Sequence, residues 1–181
     1  MEGIKLIALN GAKTVGKSTI ANALAALSDD VKIVSFASPI RAMLAAMGID
    51  QHNLNVAKEK PIDGLGKSAR QILCSLGTEW GRGMVNEEIW LWAMQQQIQK
   101  IVNGADNPED LVIVIDDCRF ANEAEWVRNF GGDVVRLIRD GIKYTGEHSS
   151  EKPLPDDLID WEFDAGGVQN CIKNIIQFII I

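Results

Sequence analysis

The 181-residue chain has no two cysteines close enough in sequence to form a metal knuckle or a redox motif. Cys74, Cys118 and Cys171 stand far apart, which disfavours a zinc site or a disulfide framework and leaves packing thiols of a reducing compartment. A basic excess is also missing. The formal net charge is −7, and broad non-specific binding to nucleic acid needs a cationic footprint. No apolar run reaches the length of a membrane span; the closing "NCIKNIIQFIII" is too short to cross a bilayer. The opening "MEGIKLIALN" has neither the apolar length nor the small-residue cleavage site of a signal peptide. There is no internal repeat, no low-complexity tract and no guanine-reading N-K-x-D motif. These exclusions leave a cytoplasmic globular protein, one domain over 1–181, with an ordinary 46% hydrophobic and 24% charged composition. Small anions remain open to it, because a few clustered cations hold an anion inside an acidic protein.

What is present alternates. Apolar runs at Ile4–Leu9, Val31–Phe36, "LVIVID" before Asp117, Val134–Ile138 and "LIDWEFDA" read as strands. Helical spacing marks Lys17–Leu27, Pro39–Met47, Ser68–Leu76, Glu87–Val102 and Ala121–Phe130. Trp90 and Trp92 fall within one of these and are expected in the core. Ile172, Ile175, Ile176 and Ile179 predict a docked final helix, with Ile180 and Ile181 beyond its stripe and available to a partner subunit. Gly48–Gly66 has no periodicity and reads as a mobile insertion. The "LVIVID" run has no polar residue before Asp116, which suits a strand covered on both faces. The expected architecture is three-layer α/β with a mainly parallel sheet and ligands at the strands' C-terminal ends.

Between the first strand and first helix lies "GAKTVGKST", a full Gly11-x4-Gly16-Lys17-Ser18 phosphate loop. The loop comprises Gly11, Ala12, Lys13, Thr14, Val15 and Gly16, and its glycines let backbone N–H groups aim at phosphate oxygens at a helix N-terminus. Lys17 is expected on the β and γ phosphates, the Ser18 hydroxyl on Mg²⁺, and Thr19 on the α-phosphate. Lys13 reads as a solvated side chain. The acid that completes such a site stands at the end of "LVIVIDD". Asp116 and Asp117 point to opposite faces, so one serves the metal, and periodicity leaves the choice open.

Transfer of phosphate to an acceptor that is itself anionic requires converging arginines. Arg41, Arg70, Arg82, Arg119, Arg136 and Arg139 are the candidates, with at least three expected in the cleft. A phosphate acceptor is already ionised, so no general base is needed.

The blocks "SFASPIRAML", "SARQILCSLGTEWGRGMVNEEIW", "DDCRFANEAEWV", "VVRLIRDG" and "HSSE" resemble the bacteriophage deoxynucleoside monophosphate kinases from the phosphate loop to about Glu151. The resemblance implies transfer of the γ-phosphate of ATP, with Mg²⁺, to a deoxynucleoside monophosphate. It implies a P-loop kinase fold with a five-stranded parallel sheet and helices on both faces. It also implies a mobile acceptor-binding region over roughly 37–102 and a short lid over 139–157. The D-x-R-F register implies Asp117 as the metal-side acid and Arg119 as an active-site arginine; Asn122 and Glu123 would fix the turn. Arg41 and Arg70 are implied for the acceptor's phosphate, and Glu79, Trp80 and Arg82 for the acceptor pocket. Lys17, Asp117, Arg119 and Arg139 make up the implied catalytic set. The lid segment departs from adenylate-kinase-type lids, offering only Arg139, Lys143 and His148. A homodimer fits the resemblance. Kinases of other small phosphorylated metabolites, or a non-catalytic nucleotide-binding module, are the rival readings.

Overall fold

The computed structural model describes residues 3–49, 51–55, 57, 59–145 and 149–180. The chain divides into two compact units, one formed by Met1–Ser35 with Gln95–Ile181 and the other by Phe36–Met94.

The first unit is built on five strands: β1 (Lys5–Asn10), β2 (Val31–Val34), β3 (Val112–Ile115), β4 (Asp133–Ile138) and β5 (Trp161–Asp164). All are parallel and lie in the order β2-β3-β1-β4-β5. The central strands are apolar because both faces are covered; every residue of β3 is buried, as is β1 after Lys5. Ile7, Leu9, Val112, Val114, Val135 and Leu137 pack on one face with Ile20 and Leu24 of α1 (Lys17–Ala25) and with Cys171, Ile172 and Ile175 of α7 (Val168–Ile175). Their strand neighbours point the other way. α6 (Ala121–Asn129) packs against β1 and β4 through a face that includes buried Ala124 and Val127. Sequential strands joined by helices produce this parallel sheet, and its connections reverse direction on either side of β1. That reversal opens a crevice at the C-terminal ends of β1 and its neighbours, where ligands of such sheets bind.

The final helix docks as expected, but its last turn, Ile176–Ile180, widens to π geometry. Ile180 packs partly buried against the core rather than extending beyond it, while Ile181 lies outside the described residues. Phe178 stacks on Trp161 and Phe163 of the edge strand β5, with centroids 5.7 and 6.4 Å away.

The second unit holds α2 (Ser38–Ala46), α3 (Gln51–Asn55), α4 (Ala69–Cys74), a π-helical segment (Ser75–Val85) and the first residues of α5 (Ile89–Asn103). Leu44, Ile49, Leu54 and Ala69 form its core, with Ile62, Ile72, Leu73 and Leu76 packed around them. The insertion Gly48–Gly66, read as mobile for want of periodicity, contributes two core residues, Ile49 and Leu54. Two apolar anchors so far apart leave no period to detect. Trp90 is buried and donates from Nε1 to the Gly77 carbonyl at 2.7 Å. Trp92, expected in the core, is 61% exposed, because two positions along a helix turn a side chain away from its neighbour's face.

Candidate nucleotide site

β1 ends at buried Asn10, and the chain then makes the phosphate loop. Gly11 has φ +141°, and a Cβ there would stand 2.6 Å from the Leu137 carbonyl oxygen, so the loop's root lies directly on β4 where no side chain fits. Thr14 holds a left-handed φ of +67°, its Oγ1 donating to the Lys13 carbonyl at 2.6 Å. Gly16, at φ +117°, precedes α1 without any side-chain cap, and the first turn of α1 carries no acid. The leading amides of a helix have no intrahelical acceptor and sit at the positive end of its dipole. With no cap supplied by the protein, this start is suited to an anion.

Lys17 curls over that loop. Its Nζ donates to the carbonyls of Gly11 at 2.6 Å and Ala12 at 2.9 Å. Burial lowers its pKa to about 8, and the nearby Arg119 guanidinium adds to the shift; the carboxylates of Asp116 and Asp117 pull the other way. Arg119, Asp116 and Asp117, three charged groups expected at the site, therefore all lie close enough to act on Lys17.

The strand end separates the two aspartates. Ser18 Oγ donates to Asp116 Oδ2 at 3.2 Å, whereas Ser35 Oγ, just past β2, donates to Asp117 Oδ2 at 2.6 Å. Asp116 is the carboxylate beside the Ser18 hydroxyl, whereas the D-x-R-F register implies Asp117 as the metal-side acid. The reason lies in the ladder. Asp116 N still bonds to the Val34 carbonyl, extending β3 by one residue, so Asp116 and Asp117 diverge to opposite sides as strand neighbours do. Ser18 and Asp116 offer two hard oxygen donors of the kind Mg²⁺ accepts alongside phosphate oxygens.

Beyond them the chain turns into α6. Glu123 is buried, and its Oε2 accepts from the amides of Arg119 at 2.8 Å and Phe120 at 3.1 Å, which fixes the turn that presents the exposed Arg119 side chain. Cys118 is buried in the same turn. Desolvation pushes its thiol well above the usual range, reinforced by Glu123 and Asp117, which makes it a packing thiol. Burial also raises Cys171, to about 11.

Arg136 and Arg139, grouped together in the sequence, have different surroundings. Arg136 Nη1 meets Asp156 Oδ1 at 2.6 Å and its Nη2 donates to the Leu154 carbonyl at 2.7 Å, so it ties the returning segment to β4. Arg139 is exposed just past β4. His148 lies outside the described residues.

The acceptor-side candidates Arg41, Arg70, Glu79, Trp80 and Arg82 all belong to the second unit. Arg41 is exposed on α2. Arg70 lies in the first turn of α4, which Ser68 and Gln71 close with a reciprocal capping box at 3.3 and 2.9 Å. Its Nε stands 3.6 Å from Glu59 Oε1. Glu79, Trp80 and Arg82 ride on the π-helical segment, where Arg82 Nη1 donates to the Glu87 carbonyl at 3.3 Å. Gly81 is required inside that segment because a Cβ would run into the Trp90 ring. The helical spacing that marks Ser68–Leu76 and Glu87–Val102 leaves most of this segment unassigned. Sequence reasoning also missed Asn10, Ser35 and Tyr144. The signal for Asn10 was a lone polar residue closing an apolar strand directly before the loop.

A parallel sheet with a phosphate loop after its central strand and an acid at the adjacent strand end defines a protein with the P-loop kinase fold. The dephospho-CoA kinase of Campylobacter jejuni shares this fold, with a TM-score of 0.52 at 13% identity over 98% of each chain. The chain belongs to the deoxynucleotide monophosphate kinase family, whose model matches residues 55–161. The deoxynucleoside-5′-monophosphate kinase of Escherichia phage T5 is 33% identical over 139 residues, 71% of this chain and 52% of that one. The chain thus spans about half the length of this relative, 52%. A protein of Acanthamoeba polyphaga mimivirus is 29% identical over 168 residues, 82% of this chain and 81% of that one. No helix among the described residues is long and apolar enough to cross a membrane.

Proposed function

We propose that the protein transfers the γ-phosphoryl group of ATP to a deoxynucleoside monophosphate in the cytoplasm of its cell. An acceptor phosphate oxygen forms the new bond to the γ-phosphorus while the bond from that phosphorus to the β–γ bridging oxygen breaks, leaving ADP and the deoxynucleoside diphosphate. The observation that carries this reading is the uncapped start of α1 with Lys17 above it and the Ser18–Asp116 pair beside it. Family membership supplies the acceptor class.

The uncapped amides hold the donor's phosphates, and Lys17 exchanges its two carbonyl partners for phosphate oxygens. Ser18 and Asp116 would hold Mg²⁺, which neutralises charge on the β and γ phosphates when bound. Arg119 faces the charge that builds on the transferred group, and Arg139 assists from the segment after β4. Asp117, bonded to Ser35, supports the strand end. Arg41 and Arg70 hold the acceptor's phosphate, with Glu79, Trp80 and Arg82 lining its pocket. A homodimer is part of this reading.

Incubation with ATP, Mg²⁺ and each of the four deoxynucleoside monophosphates tests it. Diphosphate formed from at least one of them is the expected result. Tight ATP binding without turnover of any of them overturns it in favour of a non-catalytic module.

A further inference from the structure

Among the described residues three polar side chains are buried, Asn10, Ser68 and Glu123. Ser68 and Glu123 each bond to the amides at the start of a helix. Asn10 caps nothing. Its Nδ2 donates to the Cys118 carbonyl at 3.0 Å, and its Oδ1 accepts from the Tyr144 hydroxyl at 3.1 Å. The partners dictate the amide's orientation. A carbonyl only accepts, so Nδ2 must face Cys118; Oδ1 also only accepts, so the Tyr144 hydroxyl must donate. Burial holds that hydroxyl above its usual pKa, against the opposing charge of Arg136, and keeps it a donor.

The three segments joined in this way are those a bound triphosphate needs in register. Asn10 immediately precedes Gly11 of the phosphate loop. Cys118 lies between Asp117 and Arg119. Tyr144 follows β4, five residues past Arg139. The backbone ladder pairs β1 with β3 as far as Ala8↔Ile115 and with β4 as far as Asn10↔Arg136, and so reaches neither Cys118 nor Tyr144. Past those points a side chain must hold the strand ends together. A buried amide without partners is costly, so the three groups stay in one arrangement.

We propose that Asn10 is the positioning residue of the nucleotide site, locking the phosphate loop, the Asp116–Arg119 turn and the Tyr144 segment into one register. This rests on the reading that the loop binds ATP. Asn10→Leu, of similar volume, removes both hydrogen bonds; Tyr144→Phe removes one and keeps the ring. Three quantities are measured: Mg²⁺–ATP affinity by calorimetry, kcat with a deoxynucleoside monophosphate, and Tm. Asn10→Leu is expected to weaken Mg²⁺–ATP binding about tenfold and to lower kcat on the order of 10²-fold, as displaced catalytic groups do. Tyr144→Phe is expected to cost about threefold in the parent and nothing further in the Asn10→Leu background, because the two act as one unit. Tyr144 is the only tyrosine of the chain, so its ¹³C-labelled ring gives one signal, expected to shift when Mg²⁺–ATP saturates the parent. A folded Asn10→Leu protein with parental affinity and kcat, changed only in Tm, overturns the proposal. If Asn10→Leu does not fold, an unmoved affinity in Tyr144→Phe together with an unmoved tyrosine signal overturns it instead. The affinity readout needs no acceptor, so it still decides the role of Asn10 if every deoxynucleoside monophosphate is refused. A parent that binds no Mg²⁺–ATP overturns both readings.

Discussion

The two units present their charged groups by different means. In the first, the proposed donor site is made largely of main chain: loop amides and carbonyls at strand ends, with Lys17 and Ser18 at the start of α1 and Asp116 at the end of β3. In the second, Arg41, Arg70, Glu79 and Arg82 are side chains on short helices and a π-helical segment, each presented by local packing. A site built from backbone tolerates few sequences and so announces itself as a motif. A site built from long side chains on helical surfaces admits many solutions and announces itself only through relatives.

The sharpest way to break this contrast is at Lys17. Lys17→Ala should leave the protein folded, because it removes hydrogen bonds to two loop carbonyls and no member of the hydrophobic core, yet lower kcat by about 10²-fold or more. A parental rate in steady-state assays would remove the loop from the reaction.

Next comes the strand end. Asp116→Asn should reduce Mg²⁺-dependent turnover by roughly ten- to a hundredfold, and Asp117→Asn by less, since Asp117 is engaged by Ser35. Magnesium titrations of the two variants rank them, and the opposite ranking restores Asp117 to the metal.

On the acceptor side, Arg70→Lys should raise the monophosphate KM about tenfold while the ATP KM changes less than about twofold, because lysine cannot copy a two-pronged phosphate contact. Glu59→Gln serves as the control. The half-exposed pair at 3.6 Å contributes at most about 0.5 kcal/mol, so its loss should leave both constants and Tm nearly unchanged.

The pH dependence sharpens the donor side further. Lys17 titrates near 8 in the folded protein and at 10.5 when free, so across that window the unfolded chain carries the extra proton. This one group therefore makes the ligand-free protein more stable as pH rises through the window, having cost stability below it. A polyphosphate favours the charged form. Above pH of about 8, binding should take up as much as about one proton, and affinity should fall by up to about tenfold per pH unit. Calorimetry in two buffers of different ionisation enthalpy measures the uptake, and a value near zero means that Lys17 keeps its proton throughout.

The smallest effect concerns the two tryptophans of α5. Trp90→Phe loses the bond to the Gly77 carbonyl and should cost about 1–2 kcal/mol in denaturant unfolding, whereas exposed Trp92→Gln should stay within about 0.5 kcal/mol.

The sheet was legible from the sequence because its central strands β1 and β3 are apolar on both faces and its strands are punctuated by helices of regular period. The phosphate loop was legible for the same reason that it works: only glycine fits at position 11. Which aspartate stands beside Ser18 was not, since it turns on where the β2–β3 ladder ends, and that depends on a partner strand far earlier in the chain. Nor could spacing place Asn10 against Tyr144, 134 residues away. The π-helical segment has no regular helical spacing to detect, and one of its glycines, Gly81, is there to admit the Trp90 ring.

The position of β1 in the sheet also sets a timetable. Lys5 pairs with Val112, and Asn10 with Arg136, so the strand that carries the phosphate loop is synthesised long before either of its neighbours. Until the ribosome has released β4, which ends at Ile138, the loop has a neighbouring strand on one side at most and Gly11 has no Leu137 carbonyl to lie against. Pairings this distant in sequence also close slowly once they are possible. Nucleotide binding by this protein is therefore a late event in its own synthesis: a nascent chain stalled between β3 and β4 holds the complete loop motif and half of the sheet beside it, and should capture no ATP.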